Sequence, residues 1–361
     1  MRIGVLGAGQ LGRMLALAGY RLDFDFVFFD PAEEACAAPL GTHIHAAYDD
    51  DAALGRFCDA VDVVTYEFEN VPAHCAEFVA RRKPLLPHPR ALAVGQDRLS
   101  EKQLFDSLAI AVPPYATVGS REELEAAVAR LGFPCVLKTR RLGYDGKGQA
   151  LLRLAADVAP AWDRLGRQPL LLEGFVAFER EISCIGVRGA SGALAFYPVA
   201  ENVHRDGILR TSIPRSGDPL QAAAEAATRR VMDQLGYVGV LAFEFFVAGG
   251  RLLGNEIAPR VHNSGHWTLD GAQCSQFENH LRAIAGLPLG STALRGHAAM
   301  VNFIGTVPSL EKLAEIPGLQ VHLYGKQAKP ARKIGHANLT ADTPQQLAAA
   351  LGQLAALMPS E

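Results

Sequence analysis

The feature of this sequence that most directly suggests a functional site is the spacing of two glutamates, Glu244 and Glu256. They lie in two strand-like stretches that flank a glycine turn signal. If the turn is a three-residue loop of Gly249, Gly250 and Arg251, the glutamates are cross-strand partners with Cβ atoms about 5 Å apart. A divalent cation would relieve the repulsion between them. Magnesium suits the pair, because it is commonly held by one or two carboxylates and by substrate phosphates. The alternative is a solvated sheet face.

A polar segment directly after Glu256 favours a pocket over a solvated face. It combines basic, amide and hydroxyl groups beside an apolar strand, a combination that is rare in a solvated loop. The residues are Arg260, His262, Asn263, Ser264, His266 and Thr268. We therefore expect this segment to line a pocket next to the two acids.

The N-terminal glycine loop (residues 7–12, GAGQLG) follows a predicted strand and precedes a predicted helix. With Asp30 at the end of the next strand, it fits the GxGxxG fingerprint of a dinucleotide-binding fold. Taken alone, the loop favours a nicotinamide-dependent oxidoreductase. A glycine turn at a helix N-terminus also binds other phosphate groups, and the glycines could equally serve close packing of helix on strand.

A second glycine-rich stretch, the lid loop (residues 143–149, GYDGKGQ), follows an apolar strand that ends at Lys138. Its glycines let backbone N–H groups approach phosphate oxygens, while Lys138 and Lys147 supply charge. The Walker A pattern is absent. A flexible surface hairpin would explain the glycines but not the lysines and arginines around them, so we interpret the stretch as a polyphosphate-binding element.

Three weaker signals concern the rest of a nucleotide site. Residues 170–176 form an apolar stretch ending near a glycine, which could wall an adenine but is more often simply core. Glu181 is a candidate for ribose hydroxyls, and His204 is an isolated candidate. Residues 326–333 hold four cations, which could clamp a phosphate or lie on a solvated face.

Composition narrows the class of protein. The chain has 361 residues, 49% of them hydrophobic and 20% charged, and a formal net charge of −3, so no overall positive field favours nucleic acid. No apolar run approaches the roughly 20 residues of a membrane helix. The chain begins with a strand signal, without a signal-peptide pattern. Its six cysteines are widely spaced, which predicts reduced thiols in a cytoplasmic protein.

Alternating strand and helix signals predict an α/β fold with parallel strands at the N-terminus. A seam is expected near residues 96–120 and another near 286–288. Strands are predicted over residues 2–6, 26–29, 61–65, 134–138, 170–173, 181–187, 194–199, 299–304 and 319–323. Helices are predicted over residues 10–18, 219–235, 273–285 and 343–357, and after a capping box at 120–123.

The motifs together resemble the ATP-grasp superfamily and, within it, the 5-(carboxyamino)imidazole ribonucleotide synthases of purine biosynthesis. The resemblance covers essentially the whole chain. It is carried by residues 7–12, 66–70, 138–149, 173–176, 255–266 and 332–336.

The resemblance implies an ATP-grasp fold of three domains, usually in a homodimer. These are an N-terminal Rossmann-like domain (1–95), an ATP-grasp domain (96–290) and a small C-terminal β-rich domain (291–361). The ATP-grasp domain would divide into a small lid lobe (about 112–176) and a large lobe (about 177–290).

The implied reaction turns bicarbonate and ATP into carboxyphosphate, which then carboxylates the exocyclic amine of aminoimidazole ribonucleotide. The implied cofactors are ATP and Mg²⁺, with Mn²⁺ as an alternative ion, and no nucleic acid or membrane partner is expected. Arg260 would hold bicarbonate or carboxyphosphate bidentately. Lys138 would neutralise phosphate charge, and Asp145 or a nearby histidine would accept the proton from the amine.

The resemblance also implies which residues contact each ligand. ATP contacts are expected from Arg98, Lys138, Gly143, Tyr144, Asp145, Gly146, Lys147, Gly148, Gln149, Glu173, Gly174, Phe175, Val176, Glu181, His204, Asn255 and Glu256. The metal ligands are Glu244 and Glu256. Ribonucleotide contacts are expected from Gly9, Gln10, Leu11, Tyr144, His262, Asn263, Ser264, His266, Lys326, Arg332 and Lys333. Many ATP-grasp enzymes carry an asparagine two residues after the second glutamate, where this chain has Ala258.

Three other functions compete with this one. A nicotinamide oxidoreductase leaves the two glutamates and the lid loop unexplained. A different ATP-grasp ligase, such as the formate-using glycinamide ribonucleotide transformylase, shares the nucleotide machinery, but residues 262–266 and 332–336 favour the carboxylating enzyme. A non-catalytic nucleotide-binding regulator is disfavoured by the intact acids and lysines.

Overall fold

The computed structural model describes residues 1–143 and 146–358. Tyr144 and Asp145, both predicted to contact ligands, lie outside the described residues. The strands are β1 (Arg2–Leu6), β2 (Asp25–Asp30), β3 (Thr42–His45), β4 (Val63–Tyr66), β5 (Tyr115–Val118), β6 (Cys135–Thr139), β7 (Gln149–Leu152), β8 (Leu170–Gly174), β9 (Arg180–Arg188), β10 (Leu194–Phe196), β11 (Ala200–Arg205), β12 (Ile208–Pro214), β13 (Gly239–Ala248), β14 (Arg251–Ala258), β15 (His297–Ile304), β16 (Leu319–Leu323) and β17 (Lys333–Ala341).

Helices cover the sheets and carry several of the charged residues of the site. They are α1 (Gln10–Gly19), α2 (Asp51–Asp59), α3 (Ala73–Ala80), α4 (Pro89–Gly95), α5 (Arg98–Ser107), α6 (Arg121–Leu131), α7 (Val158–Leu165), α8 (Gln221–Gln234), α9 (Thr268–Gly271), α10 (Gln276–Ile284), α11 (Leu310–Ala314) and α12 (Pro344–Leu357). Among the described residues, no helix is both long and apolar enough to cross a membrane.

The N-terminal unit is a four-stranded parallel sheet in the order β3-β2-β1-β4. β1 and β2 are almost continuous apolar runs because helices cover both faces of a parallel sheet. The N-terminal glycine loop connects β1 to α1, and a second loop leaves β4 at the same edge. The carboxyl ends of the strands therefore bring these two loops together.

The lid lobe is a four-stranded antiparallel sheet in the order β5-β8-β6-β7, with α6 and α7 packed on it. At the start of α6, the Ser120 hydroxyl accepts a hydrogen bond from the Glu123 N–H. The Glu123 carboxylate accepts from Gly119 instead of Ser120. The predicted capping box is therefore only half formed, because the acid reaches one residue further back.

The largest sheet has nine strands, in the order β14-β13-β9-β11-β12-β15-β17-β16 with β10 beside β9. β15 pairs with β12 through Thr211 opposite Val301 and Ser212 opposite Met300. The C-terminal strands therefore extend the sheet that carries the two glutamates. The predicted boundary near residue 290 falls between strands that share this one sheet.

Candidate active site

One cavity of about 970 Å³ is lined by residues of all three predicted domains. Most of the predicted site residues contribute to its wall. These are Gln10, Leu11, Arg98, Lys138, Gly143, Gly146, Lys147, Gln149, Glu173, Gly174, Phe175, Val176, Glu181, His204, Glu244, Asn255, Glu256, Arg260, His262, Asn263, Lys326, Arg332 and Lys333. Of the predicted residues that the structure describes, four do not line it: Gly9, Gly148, Ser264 and His266.

The two glutamates are cross-strand partners, as predicted, but not through the predicted turn. Ala248 pairs with Arg251, so the turn has only two residues, Gly249 and Gly250. Both have positive φ, of 56° and 68°, as a tight type I′ hairpin requires. The register then shifts by one residue, and this β-bulge at Asn255 restores the pairing of Glu244 with Glu256. The predicted three-residue loop was wrong because it assigned the extra residue to the turn.

Glu244 is an acid buried deep in the protein. Its side chain is only 10% exposed, and its Oε1 atom has no hydrogen-bond partner among the described residues. Burial, and after it the charge of the neighbouring Glu256, raise its pKa from 4.5 to about 7. His262 lies 3.5 Å away but is neutral, because burial and the charge of Arg260 lower its pKa. A bound cation would satisfy this acid.

The acids alone do not complete a cation site. Within residues 1–143 and 146–358, no cluster of three or more acidic, histidine or cysteine side chains could hold an ion. Two carboxylates fit magnesium, because that ion usually keeps several water or phosphate oxygens as ligands. The residues therefore fit a metal that arrives with a nucleotide.

Arg98 begins α5 beside the acid pair. Its guanidinium donates to Glu256 Oε2 at 3.3 Å and to the Gly143 carbonyl at 3.4 Å. Predicted as a phosphate contact, it here links the large lobe to the start of the lid loop. In this arrangement it offsets the negative charge of Glu256.

Lys138, at the end of β6, donates to Glu173 Oε2 at 2.7 Å. Burial opposes ionisation of Glu173, but Lys138 and the neighbouring Lys102 hold its pKa at about 2. The carboxylate of Glu173 thus contacts buried cations, whereas the sequence analysis predicted that Glu173 lines the adenine.

Two aromatic rings give the cavity a flat apolar surface: Phe178 stacks on Phe246 with ring centroids 4.9 Å apart. This pair was not predicted, because Phe178 precedes β9 and Phe246 lies on β13, and no local sequence pattern connects them.

Glu181 and His204 approach each other from neighbouring strands. The Nδ1 atom of His204 lies 3.1 Å from Glu181 Oε2. Although burial favours the neutral ring, Glu181 together with Glu244 and Glu256 raises the pKa of His204. The histidine predicted as isolated therefore belongs to the acidic wall of the cavity.

A carboxylate of the same chain fills the N-terminal glycine loop. Glu67, which follows β4, accepts from the Gly9 N–H at 2.6 Å and from the Gly12 N–H at 2.9 Å. A Cβ added at Gly9 would lie 2.5 Å from Glu67 Oε1. Asp30 accepts from the Ala8 N–H at 2.8 Å. The loop is an anion site, as its glycines predicted, but Glu67 occupies it, and the Gly9 amide does not face the cavity.

Arg260 is paired with an acid that the sequence analysis did not assign. Its Nε donates to Glu69, and its Nη1 donates to the Val261 carbonyl at 3.0 Å. Glu69 remains ionised, since Arg260 overcomes the effect of burial and lowers its pKa. Two acids directly after a buried strand were the available signal for Glu67 and Glu69.

The polar segment after Glu256 has two faces. Asn263 exchanges hydrogen bonds with Asn302 of β15, at 3.1 and 2.7 Å, and still lines the cavity. Ser264 and His266 lie behind the cavity wall, where His266 packs on Phe277 and His336. Their predicted contact with a ribonucleotide is not supported by this arrangement, because both side chains are buried against other elements.

The C-terminal basic run (residues 326–333) lines the part of the cavity next to the start of α1. The Nζ of Lys326 donates to Gln10 at the start of α1. Arg332 donates to the Gln327 carbonyl at 3.3 Å, and Lys333 lines the same wall. Positive charge from the C-terminal strands thus faces the edge of the N-terminal sheet.

Comparisons with known protein families match all three parts of the chain. Residues 1–96 match the ribonucleotide synthetase preATP-grasp domain, residues 103–277 the ATP-grasp domain, and residues 298–350 the phosphoribosylaminoimidazole carboxylase C-terminal domain. The N5-carboxyaminoimidazole ribonucleotide synthase of Pseudomonas aeruginosa is 53% identical over 358 residues, which are 99% of each chain. The chain belongs to this family.

Solved structures agree with the sequence relatives. The N5-carboxyaminoimidazole ribonucleotide synthetase of Thermus thermophilus is 51% identical with a TM-score of 0.95, covering 99% of this chain and 100% of that one. The Aspergillus clavatus enzyme, solved with ADP and 5-aminoimidazole ribonucleotide, is 30% identical with a TM-score of 0.91, covering 99% and 98%. The predicted α/β ATP-grasp fold, with its Rossmann-like and C-terminal domains, is confirmed.

Proposed function

We propose that this protein carboxylates 5-aminoimidazole ribonucleotide to N5-carboxyaminoimidazole ribonucleotide, using ATP and bicarbonate. The observation that carries the proposal is the single cavity in which the acid pair, Lys138 and the C-terminal basic run face one another. A nucleotide polyphosphate and a phosphorylated acceptor can both be neutralised there. The relative solved with ADP and the ribonucleotide supports the same pair of ligands.

The chemistry has two steps. An oxygen of bicarbonate attacks the γ-phosphorus of ATP, and the bond to the β-phosphate oxygen breaks to release ADP. The amine nitrogen of the ribonucleotide then attacks the carbonyl carbon of carboxyphosphate, phosphate leaves, and the amine loses a proton. Phosphoryl transfer depends mainly on positioning and on charge neutralisation, so it calls for cations around the polyphosphate.

The residues of this chain divide that work. Lys138 and Lys147 would bind the polyphosphate, and Arg98 would contribute a third positive charge. Arg260, held by Glu69, would hold bicarbonate, since a guanidinium matches two carboxylate-type oxygens. Magnesium, bound by Glu244 and Glu256, would neutralise phosphate charge.

The acceptor lies on the other side of the cavity in this proposal. Lys326, Arg332 and Lys333 would bind the ribonucleotide phosphate, next to Gln10 and Leu11. Asn263 and the neutral His262 would lie near the reacting amine. A neutral imidazole can accept a proton, and Asp145 is the other candidate for that role.

A lid over the cavity would slow hydrolysis of carboxyphosphate, which is unstable in water. Gly146 of the lid loop packs on the backbone of Asp206 and Gly207 in the large lobe, where a Cβ would lie 2.9 Å from the Asp206 oxygen. The glycine therefore permits close approach of the two lobes on one side of the cavity.

Two finer features belong to the same proposal. We expect a homodimer, which light scattering after gel filtration measures directly. We also expect a cytoplasmic location, for which the six unpaired cysteines are suited because that compartment keeps thiols reduced.

The decisive experiment measures ADP release with Mg²⁺, ATP and labelled bicarbonate, in the presence and absence of 5-aminoimidazole ribonucleotide. ADP release that depends on the ribonucleotide and matches the labelled product supports the proposal. ATP turnover that is indifferent to the ribonucleotide would point to another acceptor. Micromolar affinity for NADH would instead revive the oxidoreductase hypothesis, which the Glu67 carboxylate in the glycine loop disfavours.

A further inference from the structure

Two consecutive residues of α5, Glu101 and Lys102, have ionisable side chains yet are almost inaccessible, with 3% and 1% of their surface exposed. Charged residues are rarely buried this fully without a specific partner. Lys102 does not line the cavity, so it is not placed to touch a nucleotide; Glu101 reaches the cavity wall but is only 3% exposed. Both residues contact the backbone of β14, and Lys102 also approaches Glu173 of β8.

Lys102 binds the backbone of the β-bulge. Its Nζ donates to the Asn255 carbonyl at 2.9 Å and to the Gly254 carbonyl at 3.2 Å. The same ammonium lies 3.7 Å from Glu173 Oε1. The two carbonyls accept hydrogen bonds from the ammonium, and the contact with Glu173 is an ion pair. Lys102 thus joins the bulge to the carboxylate that pairs with Lys138.

Glu101 binds the other end of the bulge. Its Oε1 accepts from the Ile257 N–H at 2.6 Å. The Gly254 N–H is taken by the Ala111 carbonyl at 2.7 Å, just beyond α5. The backbone around Asn255 is therefore held from the helix side, where the regular strand ladder is interrupted.

The bulge determines whether Glu244 and Glu256 are cross-strand partners. Before it, the strands pair Phe245 with Gly254; a regular continuation would pair Glu244 with Asn255 and Phe243 with Glu256. The extra residue moves Glu256 opposite Glu244. Since successive side chains alternate between faces, a shift of one residue changes which side chains share a face.

We propose that Glu101 and Lys102 are positioning residues, which fix the bulge at Asn255 and thereby the alignment of Glu244 with Glu256 for the metal–nucleotide complex. The inference rests on the proposed function, since it assumes that the acid pair binds the metal. Residues of this kind act through the ligand that they orient, and their loss typically weakens metal binding by about 10- to 100-fold.

The experiment measures binding of Mn²⁺ with ADP to the full-length protein, by the electron paramagnetic resonance signal of free Mn²⁺. Lys102→Met keeps the length of the side chain and removes its donors, so affinity should fall roughly 10- to 100-fold. Gln103→Met, on the exposed side of the same helix, is the matched control and should bind like the wild type. Affinity for the ribonucleotide alone, on the other side of the cavity, should change little in Lys102→Met.

A second pair of variants covers the case in which Lys102→Met does not fold. Glu101→Gln keeps an oxygen that accepts from Ile257, whereas Glu101→Met of similar shape has none. We expect Glu101→Met to weaken Mn²⁺–ADP binding about 10-fold and Glu101→Gln to change it by less than roughly threefold.

The outcomes separate the two proposals. If the wild type does not bind Mn²⁺ with ADP, the proposed function fails. If the wild type binds and the folded Lys102 or Glu101 variants bind equally well, the positioning inference fails. An equal loss of metal and ribonucleotide affinity would also overturn the inference, because it would indicate a general structural defect.

Discussion

The N-terminal glycine loop and the lid loop have similar sequences but different surroundings. Each is rich in glycine, follows an apolar strand and could bring backbone N–H groups to an anion. In the first, Glu67 of the same chain already accepts the N–H groups of Gly9 and Gly12. In the second, Gly143, Gly146 and Lys147 line the cavity that also holds the acid pair.

This difference shows that a glycine motif specifies a backbone geometry and not a ligand. At the N-terminal loop, the anion comes from the chain itself, and the glycines make room for its carboxylate. At the lid loop, the proposed anion comes from the substrate.

Glu256→Gln should remove most of the activity while leaving the fold intact, since it deletes one of the two carboxylate charges that we propose bind the metal. We expect kcat to fall at least about 100-fold, as is usual when metal charge stabilisation is lost. Glu311→Gln, at an exposed position of α11, is the control. Near-normal kcat at saturating magnesium would mean that the acid pair is not the catalytic metal site.

Arg332→Ala should weaken ribonucleotide binding far more than ATP binding, because the basic run lies next to the N-terminal sheet. We expect the KM for the ribonucleotide to rise roughly 10- to 100-fold, the range for a charge-assisted hydrogen bond. The exposed Arg153→Ala in the lid lobe is the control. An equal rise in the KM values for the ribonucleotide and for ATP would contradict the proposal that the two ligands bind on different sides of the cavity.

Gly9→Ala and Lys147→Ala compare the two loops directly. The added methyl group at Gly9 meets the Glu67 carboxylate, so the free energy of unfolding should fall by about 1–3 kcal/mol. Lys147→Ala should leave the free energy of unfolding within about 0.5 kcal/mol of the wild type and raise the KM for ATP. Urea titrations and initial rates measure the two quantities. If Gly9→Ala instead raised the KM for ATP and Lys147→Ala lowered the free energy of unfolding, the roles that we assign to the two loops would be reversed.

The pH dependence of stability gives the smallest expected effect. Burial and Glu256 raise the pKa of Glu244 from 4.5 to about 7, so the folded protein binds more protons than the unfolded chain between these values. The free energy of unfolding of the metal-free protein should therefore fall as the pH rises through this window. Glu244→Gln lacks this titration and is the reference. Urea titrations at several pH values measure the free energy of unfolding of both proteins. If it changes with pH equally in the wild type and in Glu244→Gln, the pKa of Glu244 is not raised in the folded protein.

Much of the fold could be predicted because the signals are local. Strands β1 and β16 have the predicted bounds, and α1 and α12 differ from theirs by a single residue. Apolar periodicity and glycine positions determine such elements within a few residues of chain. The pairing of Glu244 with Glu256 was also predicted, although the extra residue lies in the bulge at Asn255 and not in the turn.

Contacts between distant residues could not be predicted in the same way. Glu67 is 58 residues from Gly9, and Lys102 is 153 residues from Asn255. No local pattern encodes such a distance, because it depends on how the sheets and helices pack. For the same reason, no sequence pattern indicated that β15 of the C-terminal domain joins the sheet of the large lobe through β12.

The sequence by itself determined the α/β class, the glycine turns, the acid pair and the clusters of basic residues, since these follow from residue type and spacing. Only the tertiary structure decided which groups meet: Glu67 with the N-terminal glycine loop, Glu69 with Arg260, and Lys102 with the bulge. The physical reason is that a buried charge is stable only beside a partner, and folding brings that partner from elsewhere in the chain.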